Sequence, residues 1–202
     1  NKVIVTNTAG VSGKYMAETV TGAILMMNFG FPKKIENQRN QIWDPQDWKS
    51  LDQKIALIIG LGGIGSRVAK RLKSFGMRVL GVRNSLKPCK YVDALIPMSE
   101  IKDSLSQADY VCIHVPNTPS THHLVNEDFL SAMNPSSRLI NTSRGSQVDE
   151  SALIIALNSG KIAGAYLDVF DTEPLPPNSS LWNTPNLIIS PHVSDRIVGW
   201  EK

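Results

Sequence analysis

The sequence predicts an α/β fold in which helices cover both faces of a doubly wound, mainly parallel sheet. Three observations support this prediction. Short apolar runs alternate with amphipathic helical segments along most of the 202 residues. The apolar run at residues 55–59 is followed at once by glycines at G-x-G-x-x-G spacing. Polar residues suited to chemistry follow several later runs, where the carboxyl ends of parallel strands would meet.

Residues 54–84 carry the strongest pattern. Residues 55–59 are an unbroken apolar run, which is typical of a strand buried on both faces. Apolar residues then recur at helical spacing as far as Gly76, where a helix would end, and residues 78–82 predict the next strand. A strand, a glycine turn, a helix and a strand within about thirty residues form a Rossmann-type dinucleotide-binding unit.

The glycines have separate roles in such a turn. Gly60 permits the tight turn, Gly62 lets the backbone approach a pyrophosphate, and Gly65 lets the helix pack closely on the strand. The pyrophosphate then lies at the helix N-terminus, where free N–H groups and the macrodipole favour negative charge. We therefore predict that the turn, including Gly63 and Ile64, binds the cofactor.

The end of the second strand indicates which cofactor is preferred. An acidic residue there normally binds the ribose 2′-hydroxyl of NAD, but this stretch contains no acid. Arg83 is suited to pairing with a 2′-phosphate, with Asn84 and Ser85 beside it. We expect NADP, with NAD as the alternative if Arg83 is only a solvated surface cation.

Length and composition limit the classes of protein. The length fits one large domain or a domain with an arm, and 42% apolar with 19% charged residues is ordinary for a globular protein. A net charge of +3 does not favour a nucleic-acid or membrane partner. Two cysteines are too few for a disulfide framework, and Cys112 lies in an apolar run as a buried thiol would. We expect a cytoplasmic protein.

The other elements are predicted in chain order. Residues 3–6 end a strand, residues 7–13 turn, and residues 15–29 form a helix whose methionine-bearing face is core or subunit interface. A polar arm at residues 32–50 carries Trp43 and Trp48. The later pattern predicts a loop at 86–93, helices at 101–107, 126–133 and 149–159, and strands at 110–115, 138–141, 162–169 and 187–190.

Arg144, Glu173 and His192 each follow one of the predicted strands. Reduction of a 2-keto acid needs a cation for the carboxylate and a proton donor for the carbonyl oxygen. Arg144 suits the first task and His192 the second, and Glu173 would orient the imidazole and favour its charged form. Singly, each residue has a structural explanation, but together they predict a catalytic crevice. The adjacent pair His122 and His123 lacks metal-ligand spacing, so we predict no metal.

These residues carry a resemblance to the NAD-binding domain of the D-isomer-specific 2-hydroxyacid dehydrogenases. The similar stretches are residues 60–65, 114–119 with Thr121, 141–145, 167–170 with 173–175, 190–192, and Ala17-Glu18. The resemblance implies that Arg144 binds substrate, that His192 is the acid/base and that Glu173 is its partner. It also implies that Asp168 lies near the nicotinamide, and that the cofactor is lined by Val115, Pro116, Thr121, Thr142 and Ser143 together with Arg144 and His192.

The resemblance further implies a division of the chain. Residues 1–50 would be a linker helix and dimerisation arm, residues 51–192 the Rossmann domain, and residues 193–202 the start of the return to a substrate domain. That substrate domain is built from both chain termini in this family, so we expect this chain to be a fragment of a longer homodimeric protein. Gly63 stands at a position where many members of the family carry a larger residue.

We expect a reductase of glyoxylate or hydroxypyruvate. One alternative is an NAD-dependent dehydrogenase of another D-2-hydroxy acid, such as phosphoglycerate or lactate. The other is a nucleotide-sensing corepressor of the same fold, which would show no turnover with 2-keto acids and would bind a nuclear partner.

Overall fold

The computed structural model describes residue 3, residues 10–84 and residues 87–199. Most of the predicted strand end at residues 3–6, the start of the following turn, and Ser85 lie outside the described residues. The helices are α1 (Gly13–Asn28), α2 (Phe31–Arg39), α3 (Gly65–Lys73), α4 (Ile101–Gln107), α5 (Glu127–Ala132) and α6 (Glu150–Asn158). The strands are β1 (Ile55–Ile59), β2 (Arg78–Val82), β3 (Ala94–Ile96), β4 (Tyr110–Ile113), β5 (Arg138–Asn141), β6 (Gly164–Leu167) and β7 (Leu187–Ile189).

The strands of the described residues form one seven-stranded sheet in the order β3-β2-β1-β4-β5-β6-β7. Every pairing is parallel. Ile59 at the end of β1 pairs with Val82 on one side and with Ile113 on the other, so the carboxyl ends of these strands share one edge. The strand order reverses between β1 and β4, and ligands of open α/β sheets bind outside such a switch point.

Alternate residues of each strand face opposite sides of the sheet, as the β pleat requires. In β1, Leu57 and Ile59 join a core formed with α4, α5 and α6, whereas Ala56 and Ile58 join a second core formed with α1 and α3. Helices therefore cover both faces, which confirms the predicted doubly wound fold.

Helix α1 belongs to the core of this chain. Its apolar face, which includes Val20, Ile24 and Met27, is buried in one core cluster with residues of the sheet and α3. Of the two predicted roles for this face, the structure shows the core. Contact of this helix or of the arm with a second subunit stays a prediction.

The arm contains a helix that the sequence analysis did not predict. Helix α2 follows Gly30, which has a φ of 65°, and carries Pro32 in its first turn, where a missing N–H does no harm. The ring of Trp48 packs on Phe29 with centroids 4.2 Å apart, whereas Trp43 is 95% exposed. The arm thus offers its own apolar surface to solvent.

Strand β3 was also missed, and several predicted strands are shorter than expected. β3 has three residues and pairs only with β2 at the sheet edge. Its position is set by Asp93, whose carboxylate accepts a 2.7 Å hydrogen bond from the backbone N–H of Val79. The strand predicted at 110–115 ends at Ile113, and the one predicted at 162–169 spans only Gly164–Leu167.

A search of the described residues for a membrane-crossing helix finds none with the required length and apolar character.

Candidate active site

The glycine turn between β1 and α3 lies at the switch point of the sheet. Gly60 has a φ of 99°, and its N–H donates to the carbonyl of Val82 at 2.8 Å. A side chain on Gly60 would collide with the carbonyl of His114, and one on Gly65 would collide with the carbonyl of Gly60. A Cβ on Gly62 would meet nothing within 4 Å. Two glycines therefore permit close packing, and Gly62 leaves the backbone open to a ligand.

A cavity of about 640 Å³ opens at this edge of the sheet. Its walls come from the segment before α1, from the glycine turn, and from the carboxyl ends of β4, β5 and β7. The predicted site residues that line it are Gly62, Gly63, Ile64, Val115, Pro116, Ser143, Arg144 and His192. Ser12 and Gly13 also line it, and the sequence analysis did not assign them to the site.

His192, which lines this cavity, forms a hydrogen-bonded pair with Glu173. The distance between His192 Nδ1 and Glu173 Oε2 is 2.7 Å, and Glu173 Oε1 accepts a 2.9 Å bond from the N–H of Phe170. Burial raises the pKa of the Glu173 carboxyl, but these two hydrogen bonds outweigh it, so the pKa lies below its ordinary value. The carboxylate is thus ionised at neutral pH and orients the imidazole.

The loop that carries His192 is held by the buried carboxylate of Asp168. This carboxylate accepts hydrogen bonds from the N–H groups of Val193 at 3.1 Å and Ser194 at 2.9 Å, and from the hydroxyl of Ser190. Ser190 is in turn 2.6 Å from the hydroxyl of Tyr166. Asp168 is fully buried and does not line the cavity. In this structure it positions the loop that carries His192, and the sequence analysis missed the contributions of Ser190 and Tyr166.

Arg144 lies in a turn after β5 that is braced from within. The amide of Asn141 donates to the carbonyl of Arg144 at 2.9 Å, and its oxygen accepts from the N–H of Ser143 at 3.0 Å. Gly145 follows, and any side chain there would collide with the backbone of Phe170. The turn is therefore rigid, while the Arg144 side chain remains exposed at the cavity.

Four predicted cofactor residues, Thr121, Thr142, Arg83 and Asn84, do not line the cavity. The hydroxyl of Thr121 donates to the carbonyl of Pro116 at 2.7 Å and so fixes the loop after β4. Thr142 is buried, and its hydroxyl has no partner among the described residues. Arg83 follows β2 and is half-buried, with Asn84 exposed beside it. The Arg83 guanidinium has a 3.5 Å contact with the carbonyl of Lys87, which is long for a hydrogen bond.

His114 and the adjacent pair His122 and His123 have different surroundings. Both ring nitrogens of His114 are buried without a partner in the described part of the chain, and burial lowers the pKa of this histidine to about 4. His122 and His123 stack on each other with ring centroids 4.0 Å apart. Across residues 10–84 and 87–199, no group of three or more metal-ligating side chains is found.

The turn fits the pyrophosphate of a dinucleotide. Within the described residues, the backbone N–H groups of Gly63 and Ile64 donate to no protein acceptor, and both residues line the cavity. Gly62 leaves the space above them open. Unpartnered N–H groups at the start of a helix are suited to binding an anion.

Comparison with known proteins supports this interpretation. Residues 21–194 match the family model described as D-isomer specific 2-hydroxyacid dehydrogenase, NAD binding domain. A glyoxylate reductase of Thermofilum pendens is 38% identical over 97% of this chain and 60% of its own length. A D-3-phosphoglycerate dehydrogenase of Methanocaldococcus jannaschii is 33% identical over 94% of this chain and 37% of its own length.

Solved structures agree with the sequence comparison. A D-isomer specific 2-hydroxyacid dehydrogenase of Xanthobacter autotrophicus Py2, in complex with NADPH and MES, superimposes with a TM-score of 0.90 at 31% identity, covering 98% of this chain and 82% of that one. This chain spans about three fifths of the length of the first curated relatives. The chain belongs to the D-isomer-specific 2-hydroxyacid dehydrogenase family, and the matched region is that family's NAD-binding domain.

Proposed function

We propose that this chain is the cofactor-binding part of a reductase that transfers hydride from NADPH to a small 2-keto acid, with glyoxylate or hydroxypyruvate as substrate. The observation that carries the proposal is the 2.7 Å contact of His192 with Glu173, since His192 lines the same cavity as Arg144 and the glycine turn. Relatives named glyoxylate reductase and a relative crystallised with NADPH support the choice of substrate and cofactor.

The bound nicotinamide would supply the hydride to the carbonyl carbon. The Arg144 guanidinium presents a planar fork of donors that matches a carboxylate, so it would hold the substrate by its acid group. Because Nδ1 of His192 contacts Glu173, its Nε2 is left to give a proton to the carbonyl oxygen as the alcohol forms. Glu173 stabilises the imidazolium before that transfer, and oxidation of the alcohol would run the same steps in reverse.

One alternative substrate has an observation in its favour. The relatives include phosphoglycerate dehydrogenases, one of them a Lactobacillus plantarum structure at 33% identity and a TM-score of 0.89. A panel of glyoxylate, hydroxypyruvate, 3-phosphohydroxypyruvate and pyruvate, each with NADPH and with NADH, separates the candidates. Activity confined to 3-phosphohydroxypyruvate with NADH would replace our proposal by this alternative.

The catalytic roles are tested in the full-length gene product. His192→Ala should lower kcat by about 10²–10⁴-fold, since it removes the general acid, while leaving NADPH affinity nearly unchanged. Arg144→Ala should raise the KM for the keto acid and also lower kcat. His122→Ala, which changes an exposed histidine outside the cavity, is the matched control and should retain activity. Full turnover by His192→Ala would remove that residue from the mechanism.

We further propose that the arm before residue 51 mediates a homodimer. Exposed apolar side chains cluster there, with Trp43 at 95%, Ile42 at 53% and Trp48 at 51% exposure. Sedimentation at micromolar concentration should show a dimer that Trp43→Lys weakens. Ile155→Lys, which changes an exposed isoleucine on α6, is the control and should leave the dimer intact. A monomer in the unmutated full-length protein would contradict this proposal.

A cytoplasmic location belongs to the same proposal. Cys89 and Cys112 are both free thiols, as proteins of a reducing compartment keep them.

A further inference from the structure

The glycine turn has no charged side chain of its own. Its six residues are glycine, leucine and isoleucine only, from Gly60 to Gly65. A dinucleotide brings two negatively charged phosphates to this position, and backbone N–H groups alone would face them. A nearby cation would strengthen binding considerably, because charge-assisted hydrogen bonds are about twice as strong as neutral ones.

Arg67 places such a cation against the turn. Its Nη1 donates to the carbonyl of Gly63 at 2.5 Å. The same nitrogen would lie 3.1 Å from a Cβ built on Gly13, on the segment that crosses the turn. Gly13 and Gly63 both line the cavity, so the guanidinium lies beside two residues of its wall. Only one of its five N–H donors is used by the Gly63 carbonyl.

The position of Arg67 is electrostatically unusual for a residue without a ligand. It stands in the first turn of α3, where the helix dipole disfavours a cation, and that turn contains no acidic residue. No carboxylate of the described residues lies within 4.0 Å of its guanidinium. Arg71, one turn further along the same face, is different, because it pairs with Glu18 at 3.1 Å and with the carbonyl of Lys14.

We propose that Arg67 binds the pyrophosphate of the nicotinamide cofactor and supplies the cation that the turn itself lacks. The inference rests on the proposed function, since it concerns the same cofactor site. It separates two arginines by the phosphate that each recognises. Arg67 acts on the pyrophosphate, which NADH and NADPH share, and Arg83 acts on the 2′-phosphate, which only NADPH carries.

Calorimetric titration of the 202-residue chain with NADH, NADPH and adenosine tests this division. Arg67→Gln should weaken NADH and NADPH binding equally, by on the order of tenfold each, and should leave adenosine binding unchanged. Arg83→Gln should weaken NADPH alone. Arg71→Gln removes the same charge from the same helix one turn away, so it is the matched control and should change either affinity less than about twofold.

Two further variants keep the test independent of folding. Arg67→Lys retains the charge without the planar fork and should bind with intermediate affinity. Arg67→Gln combined with Gly63→Arg returns a cation to the turn and should recover much of the lost affinity. A Cβ on Gly63 meets only ordinary van der Waals neighbours, at 3.5 Å or more. Thermal unfolding of the free chain should change little for Arg67→Gln, because relief of the unfavourable dipole interaction offsets the lost bond to the exposed Gly63 carbonyl.

Several outcomes would overturn the inference. Unchanged affinities in Arg67→Gln, a loss no larger than that of Arg71→Gln, or a loss confined to NADPH would each remove Arg67 from the pyrophosphate. A lowered melting temperature that accounts for the weaker binding would make its role structural. If the unmutated chain binds neither dinucleotide, the proposed function fails and the inference fails with it. Normal binding by both the unmutated chain and Arg67→Gln overturns the inference alone.

Discussion

The sheet has two halves that meet between β1 and β4, and they build their parts of the site in opposite ways. In the half made of β1, α3 and β2, the cavity wall is backbone, and Gly62 contributes by having no side chain. In the half from β4 to β7, the cavity wall carries the side chains of Arg144 and His192, which need a defined orientation. One half supplies a shape and the other supplies oriented chemical groups.

Buried polar residues follow the same division. No buried polar side chain occurs between residues 51 and 84, all of which the structure describes. The strand ends of the other half bury Asn141, Thr142, Ser143, Gln147 and Asp168. Four of these residues, Asn141, Ser143, Gln147 and Asp168, make hydrogen bonds through their side chains, and such bonds rigidify the groups that they join. In the half from β4 to β7, buried polar side chains therefore orient the side chains at the cavity, and the half made of β1, α3 and β2 has no such groups.

The largest expected effect separates the halves by stability. Asp168→Ala leaves the N–H groups of Val193 and Ser194 and the hydroxyl of Ser190 without their acceptor, so the free energy of unfolding should fall by about 4 kcal/mol. Gly62→Ala, in the other half, should change it by less than about 0.5 kcal/mol, since its Cβ meets nothing within 4 Å. Urea unfolding measures both.

NADPH titration of the same two variants completes the comparison. Gly62→Ala should weaken binding, because the new methyl group occupies the space where the pyrophosphate approaches the backbone. Equal losses of stability in the two variants would contradict the division between a backbone half and a side-chain half.

The next largest effect concerns His114, which lines the cavity at the boundary of the halves and whose two ring nitrogens are buried without a partner in the described residues. Burial lowers the pKa of His114 from 6.5 to about 4. Between these values the unfolded chain binds the extra proton, so stability rises with pH there and is lost as pH falls from 6.5 towards 4. The loss attributable to this residue is about 3 kcal/mol.

Two variants isolate that contribution. His114→Leu should flatten the dependence of unfolding free energy on pH between 4 and 6.5, as followed by urea unfolding at several pH values. His122→Leu changes an exposed histidine and should leave the dependence as it was. A slope that survives in His114→Leu would assign the acid sensitivity to other groups.

The two halves also differ in how far the sequence predicts them. Residues 55–59 and 78–82 were predicted with the strand bounds that the structure has, because a buried strand and a glycine turn are local patterns. The convergence of Glu173 and His192 was predicted from strand ends, and the structure brings the two side chains into contact. The roles of Tyr166 and Ser190 were not predictable, since they depend on how β6 and β7 are paired.

Other misses have equally physical causes. Strand β3 is too short to show a periodic pattern, and its pairing with β2 depends on the bond from Val79 to Asp93. Helix α2 is polar through most of its length and buries only Asn37, so it lacks the apolar stripe by which helices are recognised.

The smallest expected effect concerns the Arg83 side chain, which lies in the half made of β1, α3 and β2. Arg83 follows β2, no acid stands beside it, and its only described hydrogen-bond contact is the long one to the Lys87 carbonyl. Its guanidinium is therefore available to a 2′-phosphate. A charge-assisted bond of this kind contributes roughly 1.5–3 kcal/mol, or on the order of ten- to a hundredfold in Kd.

Because Arg83 is only half-buried, solvent and salt should reduce that preference to the lower end of the range. We expect NADPH to bind about tenfold more tightly than NADH, with the ratio narrowing as salt is added. Arg83→Asp should erase or reverse the ratio, since a carboxylate repels the phosphate and accepts from the ribose hydroxyls. Lys87→Asp, four residues further along the chain, should reduce the ratio of NADPH to NADH affinity less than Arg83→Asp does. Titration of both cofactors at two salt concentrations decides the matter. NADH binding as tight as NADPH in the unmutated chain would remove Arg83 from cofactor recognition.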